Sequence, residues 1–143
     1  MNDQQMAVLD NADIIYFGSP TYMGGPAAQF KAFADATSER WESQRWAGKL
    51  AAGFTCGSNA GGDQLATLQY FHILASQHGM YWVGLDIPVD AALARSNTLG
   101  THLGVSVHVP EDQISDDDRI NAAYLGQRGV AAATRLCDSR YDK

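Results

Sequence analysis

Three short apolar runs, separated by segments of helical periodicity and punctuated by glycine, constrain most of what this chain can become. The first, Asp13 to Gly18, carries Ile14, Ile15, Tyr16 and Phe17 in succession. A strand apolar on both faces is what a parallel sheet covered by helices on both sides requires. The second, Leu50 to Cys56, is rich in small residues that let a helix approach closely, and the third is Met80 to Leu85. Between them, Pro26 to Ala36 places Ala27, Phe30, Phe33 and Ala34 at helical spacing, and Asp63 to His78 does the same with Leu65, Leu68, Phe71 or His72, and Ala75. Two βα units and a closing strand predict an α/β fold with a parallel sheet.

The first two strands each end in a glycine-rich loop. Ser19 to Gly25 is interrupted by Pro20, Gly24 and Gly25, with Pro26 placed as the first helical residue, where its missing N–H costs nothing. Gly57-Ser58-Asn59-Ala60-Gly61-Gly62 follows the second strand, and Asp63 stands as N-cap or first-turn acid. In open α/β sheets ligands bind outside the carboxyl ends of the strands, so the two loops are expected to face one crevice. Glycines let backbone amides reach a planar, polar-edged ligand; Thr21, Ser58 and Asn59 add polar partners, and Tyr22 and Met23 can lie against a ring.

Composition narrows the function class. A length of 143 residues fits one domain, and 45% hydrophobic with 18% charged residues excludes large-scale disorder. A formal net charge of -6 without clustered Lys or Arg argues against nucleic-acid binding. No apolar run is long enough to span a bilayer and the N-terminus lacks a signal-peptide pattern, so a soluble, cytoplasmic protein is expected. Cys56 and Cys137 sit in segments that read as buried, without Cys or His neighbours at metal-ligand spacing; neither a disulfide nor a metal site is expected. No Ser lies in a Gly-x-Ser-x-Gly turn, which disfavours hydrolase chemistry.

The remaining segments are less regular. Asn2 to Asn11 reads as an amphipathic helix entering the first strand. Thr37 to Ala47 holds Trp41 and Trp46 among charged residues, too polar for a core element, and is expected to be a contact surface. Asp86 to Pro110 is irregular, with a short strand at Val105 to Val109. Ser115 to Asp118 has the form of a capping box, opening a last helix that runs to about Arg135. Gly126 and Gly129 within it predict close packing against the sheet. His78, ending the second helix before Gly79, reads either as a dipole-favoured terminal residue or as a proton donor titrating near neutrality. His72 reads as a core or interface residue.

The segments Gly-Ser-Pro-Thr-Tyr-Met-Gly-Gly-Pro-Ala-Ala-Gln (18–29), Gly-Lys-Leu-Ala (48–51), His-Gly-Met (78–80) and Ala-Ala-Tyr-Leu-Gly-Gln-Arg-Gly-Val-Ala (122–131) occur in order over nearly the whole chain. Together they resemble the flavodoxin-like, FMN-dependent NAD(P)H:quinone oxidoreductases of the WrbA type. The resemblance implies a flavodoxin-like three-layer sandwich in which Ser19, Pro20, Thr21, Tyr22, Met23 and Gly24 hold the flavin ring's pyrimidine edge and N5 side. Thr55, Cys56, Gly57, Ser58, Asn59, Gly61 and Gly62 would border its other side. His78 would serve as proton donor in the substrate pocket, and Trp41 would match an aromatic residue that reaches a neighbouring subunit's site. The implied reaction passes two electrons from NAD(P)H through FMN to a quinone or similar small-molecule acceptor, in a dimer or tetramer.

Two departures accompany it. The family opens with a strand, a Ser/Thr-rich phosphate loop with its helix, and a second strand, none of which is present in this sequence; the single domain is therefore expected to be N-terminally truncated. In the family's strand order the strand at Asp13 to Gly18 would be internal, so here it becomes an apolar open edge. The segment Asn97 to Gly104 also lacks an arginine found in many relatives. The alternative expectation is a flavodoxin-like scaffold or partner-binding protein that has lost FMN.

Overall fold

The computed structural model describes residues 2–87, 97–110 and 113–138. The expected alternation is present. Helix α1 (Asp3–Asn11) leads into β1 (Ile14–Tyr22), β2 (Gly25–Pro26), α2 (Ala28–Asp35), the short α3 (Ser38–Glu42), β3 (Leu50–Gly57), α4 (Gln64–Gln77), β4 (Tyr81–Trp82), β5 (Val105–His108) and α5 (Asp116–Asp138). The sheet runs β2-β1-β3-β4, with β5 also on β3. β1 and β3 are parallel from Ile14 opposite Leu50 to Pro20 opposite Cys56, and β4 and β5 pair with β3 end to end, also parallel.

Alternation along the strands builds two apolar layers. Ile15, Phe17 and Ala51 pack with Phe30 of α2 and Leu68, Phe71 and Ala75 of α4. On the other face Leu50, Ala52 and Val105 pack with Leu125 of α5, with Ile14 and Tyr16 against them. This is the three-layer sandwich.

Helix starts follow local chemistry. Asn2 and Gln5 form a reciprocal capping box, and Ser115 Oγ accepts the Asp118 N–H at 3.1 Å. Asp63 differs: it occupies the N-cap position of α4 with φ 57° and makes no side-chain cap hydrogen bond.

Several expectations need correction. The first strand does not stop at Gly18 but continues to Tyr22 and folds back as a hairpin, with Met23 (φ 49°) and Gly24 (φ 75°) as its two turn residues. Two consecutive positive φ angles are what a turn matching the strand twist needs. Pro26 therefore ends β2, and the helix starts at Ala28. Trp46, expected on a contact surface, is fully buried because its indole N–H donates to Asp10 Oδ1 at 2.8 Å, satisfying its only polar atom. Cys56 and Cys137 are half-buried rather than core residues.

The two glycines of α5 differ. A Cβ on Gly129 would lie 2.0 Å from Tyr16 Oη and 2.5 Å from Ile14 Cδ1, which is the expected close packing. A Cβ on Gly126 would meet nothing within 4 Å; this residue instead offers its carbonyl to the Tyr16 hydroxyl at 2.9 Å. The expected third strand is regular only at Tyr81–Trp82, although the Val83 N–H still donates to the Ala51 carbonyl. Part of the irregular stretch, residues 88–96, lies outside the described residues.

Beyond the hairpin, the outer edge of β1 has no strand partner among the described residues. A groove of about 630 Å³ runs beside it, floored by Ile15 to Pro20 and walled by Leu9, Phe30 and Phe33.

Candidate functional site

The β1–β2 hairpin and the β3–α4 loop meet at the carboxyl ends of two adjacent parallel strands, where they enclose a cleft of about 300 Å³. Pro20, Thr21, Tyr22, Met23 and Gly24 form one wall; Cys56, Gly57, Ser58, Asn59 and Gly62 form the other, with Val109 closing the end. Tyr22 and Met23 project into solvent at the rim, 65% and 105% exposed. Among the described residues no Lys, Arg or His lines the cleft. In a two-residue turn the central amides lie outside the ladder, so Met23 and Gly24 have N–H groups to offer.

Three of the expected cofactor-binding residues do not line this cleft. Ser19 is buried; its hydroxyl donates to the Pro20 carbonyl and accepts the Ala27 N–H at 2.9 Å, fixing the chain's entry into α2. Thr55 is buried and donates to the Ser19 carbonyl at 2.8 Å. Gly61 lines a separate cavity on the opposite side of its loop. Thr21 does line the cleft, but its hydroxyl is already committed. Because Thr55 gives its proton to Ser19, it must accept from Thr21 at 2.8 Å, and Thr21 must then accept from Thr67, also at 2.8 Å. The three hydroxyls form one directed chain joining α4, the hairpin and β3. Val109 was missed by sequence reasoning; the register that puts β5 beside Gly57, with the Val109 N–H on the Gly57 carbonyl, brings it there.

His78, expected as a proton donor in the substrate pocket, lies apart from this cleft. It caps the carboxyl end of α4, whereas the cleft lies at that helix's amino end, and the 14 intervening residues separate the two by about 20 Å. The imidazole is 1% exposed and lies 4.6 Å from the Trp46 ring, centroid to centroid. Thr37 Oγ1 donates to the Ala34 carbonyl, so at 2.9 Å it accepts from His78 Nε2, which therefore carries the hydrogen. Nδ1 has no partner among the described residues, and burial lowers the histidine's pKa. Within one chain His78 cannot reach the cleft. Trp41, on α3, is 51% exposed and also outside the cleft. His72 is half-buried, edge-on to Trp82.

A neutral cleft with backbone amides on two sides, side-chain amide and hydroxyl groups, and an aromatic residue at the rim suits a flat heteroaromatic ring with a polar edge. Residues 5–92 match the family model described as NADPH-dependent FMN reductase.

The chain belongs to that family.

It is 44% identical over 109 residues to a flavodoxin, FldP, of Pseudomonas aeruginosa, covering 73% of this chain and 59% of that protein. It is 37% identical over 130 residues to an NAD(P)H dehydrogenase (quinone) of Archaeoglobus fulgidus, covering 90% and 63% respectively. Another NAD(P)H dehydrogenase (quinone), from Syntrophobacter fumaroxidans, is 40% identical over 132 residues, covering 90% and 65%. The chain thus spans 59% to 65% of the length of these relatives. Among solved structures, a flavodoxin, WrbA-like protein from Agrobacterium tumefaciens superposes with a TM-score of 0.74 at 35% identity, over 94% of this chain and 74% of that one. The flavodoxin-like fold expected from sequence is therefore the observed one. Among the described residues no helix is long and apolar enough to cross a membrane.

Proposed function

We propose that this chain is an FMN-dependent oxidoreductase that passes two electrons from NAD(P)H to a quinone or similar small acceptor. The observation that carries the reading is the cleft between the hairpin and the β3–α4 loop, built in a chain of this family from backbone amides and neutral side chains. The names of relatives described as NAD(P)H dehydrogenase (quinone) support the donor and acceptor class.

The residues fit the ring end of FMN. Met23, Gly24, Gly57, Ser58 and Asn59 would meet its polar edge, and Tyr22 with Val109 would bound its apolar side. The cleft volume lies at the lower end of the range for small-molecule sites, about 300–1,000 Å³. With no cation in its wall among the described residues, the cleft suits the ring rather than the phosphate. When bound, a flavin supplies hydride acceptance and two-electron transfer; the protein supplies orientation and exclusion of water.

Trp41 and His78 cannot complete this cleft from the same chain, so a role for either at the acceptor pocket calls for a homo-oligomer.

The test is direct. The purified chain, incubated with FMN and desalted, should retain flavin absorbance and oxidise NAD(P)H with benzoquinone as acceptor. Failure to take up flavin overturns the enzyme reading and leaves the scaffold alternative.

A further inference from the structure

Helix α4 differs from the other described helices in its charge. From Gln64 to Leu85 the sequence holds no Asp, Glu, Lys or Arg, the longest such stretch in the chain, and α4 lies within it. Each of the other described helices carries charged side chains: Asp3 and Asp10 in α1, Lys31 and Asp35 in α2, Glu39, Arg40 and Glu42 in α3, and several between Asp116 and Arg135 in α5. A helix resting on a sheet normally turns a charged or polar face to water, and one that is apolar all round is normally covered on both sides.

The inward face of α4 is accounted for by Leu68, Phe71, Leu74 and Ala75 in the core. Its outward face also holds large apolar residues. Leu65 and Ile73 are 49% and 58% exposed, and the exposed Gln69 stands midway between them. Residues four apart lie one above another, so the three form a single ridge along the helix.

The ridge suits a second copy of itself. Read from either end it is a large aliphatic residue, a carboxamide and a large aliphatic residue. A carboxamide both donates and accepts, so one Gln69 side chain can pair reciprocally with another. Charge points the same way. With a formal net charge of -6, two copies of this chain repel each other on average, and they meet most readily through a face that carries no charge.

We propose that the outward face of α4 is the contact surface for a second copy of this chain, the two helices packing antiparallel about a two-fold axis beside Gln69. Leu65 of each copy lies against Ile73 of the other, and the two Gln69 amides pair across the axis. The antiparallel sense lets the opposite ends of the helix dipoles attract. Ridges of residues four apart interdigitate when the helices cross at about -50°. A helix face about 21 Å long and about 10 Å wide is well below the roughly 800 Å² per partner of a standard interface, so the pairing is reversible and depends on concentration. It stands on α4 alone and does not depend on the flavin assignment.

Sedimentation velocity of the full chain from about 5 μM to about 1 mM tests it, a range that brackets weak pairing. A monomer–dimer equilibrium is expected. Gln69→Glu and Gln69→Lys, each alone, should weaken it at least about ten-fold by setting like charges opposite each other, and an equimolar mixture of the two should recover dimer. Ile73→Glu should weaken it likewise. Both positions are exposed, so circular dichroism and the melting temperature of each variant's monomer should match those of the parent. Raising salt from about 0.05 M to about 0.5 M should leave the parent dimer intact or tighten it, because screening relieves the repulsion between copies. A chain that stays monomeric throughout, assembles beyond a dimer or dissociates in salt overturns the proposal. So does a dimer undiminished by Ile73→Glu, or a mixture of the Gln69 variants no more associated than either alone. Leu65, Gln69 and Ile73 do not line the cleft, and FMN uptake is read separately by absorbance, so failure of the flavin reading and failure of this one are distinct results.

Discussion

The indole of Trp46 and the imidazole of His78 lie 4.6 Å apart, inclined by 37°, in the interior beneath α3. His78 gives its Nε2 hydrogen to Thr37, and Nδ1 is buried without a partner among the described residues. Protonating Nδ1 would bury a charge beside an aromatic ring with no acceptor for the new hydrogen. Burial accordingly lowers the His78 pKa below its ordinary 6.5. In the acidic range the unfolded chain then binds a proton that the folded chain refuses. The stabilisation is complete above the ordinary value and is lost as pH falls below it. The urea midpoint should therefore drop between about pH 7.5 and about pH 5.5, and His78→Phe should flatten that dependence. An unchanged slope in His78→Phe would remove His78 as its source.

His78→Ala should act mainly on stability. Deleting a fully buried ring that packs on Trp46 is expected to cost about 2–4 kcal/mol. Where the variant stays folded, FMN affinity should be close to that of the parent chain, because the cleft lies at the far end of α4. Equilibrium unfolding and FMN titration together check this, and a loss of FMN binding without a loss of stability would contradict the placement.

Asp10 organises the same region from below. Burial alone would raise its carboxyl, but hydrogen bonds from Trp46 and Arg40 and the charges of Arg40 and Arg45 outweigh that and hold it below the usual value of 3.8. Because the folded value is the lower one, this contribution is present at neutral pH and is lost as pH falls below about 4. Asp10→Asn should destabilise the chain at neutral pH by about 1–3 kcal/mol, as one acceptor site becomes a donor facing two guanidinium groups. A double-mutant cycle with Arg40→Ala measures how much belongs to the 3.1 Å ion pair.

Asp10 also marks where sequence reading fell short. Consecutive apolar runs, helical spacing and glycine-rich breaks sufficed for the first part of β1, for β3 and α4 and for the facing loops, because those signals are local. Trp46 looked like a surface residue among charged neighbours; only the fold brings Asp10 within 2.8 Å of its indole N–H. Likewise, His78 carries the right side chain for proton transfer, but its distance from the cleft is set by the length and direction of α4. The hairpin was partly hidden because Pro20 and Gly24 read as strand-breaking, whereas Pro20 sits within β1 and Gly24 is one half of a two-residue turn.

Two glycines three residues apart in α5 should respond to alanine with opposite signs. Gly129→Ala drives a methyl into Tyr16 and Ile14, and overpacking of this kind costs about 1–3 kcal/mol. Gly126→Ala meets open space in a helix interior and should stabilise by up to about 1 kcal/mol. Thermal or urea unfolding of the two variants decides the matter. A destabilised Gly126→Ala would mean that its carbonyl bond to Tyr16 is sensitive to the added side chain.

The cleft's geometry rests on Thr21. Its hydroxyl is the middle link of the chain from Thr67 through Thr55 to the Ser19 carbonyl, and so holds the hairpin against both α4 and β3. Thr21→Val keeps the shape but removes the link, leaving the fully buried Thr67 hydroxyl without its acceptor. A stability loss of about 1–3 kcal/mol is expected, while Thr21→Ser, which retains the hydroxyl, should lose much less. Since the hairpin positions Tyr22, Met23 and Gly24, Thr21→Val should also weaken FMN retention, measured by absorbance after desalting at a temperature where the variant is fully folded. If Thr21→Val binds FMN as the parent does, the hairpin is held in place without this link.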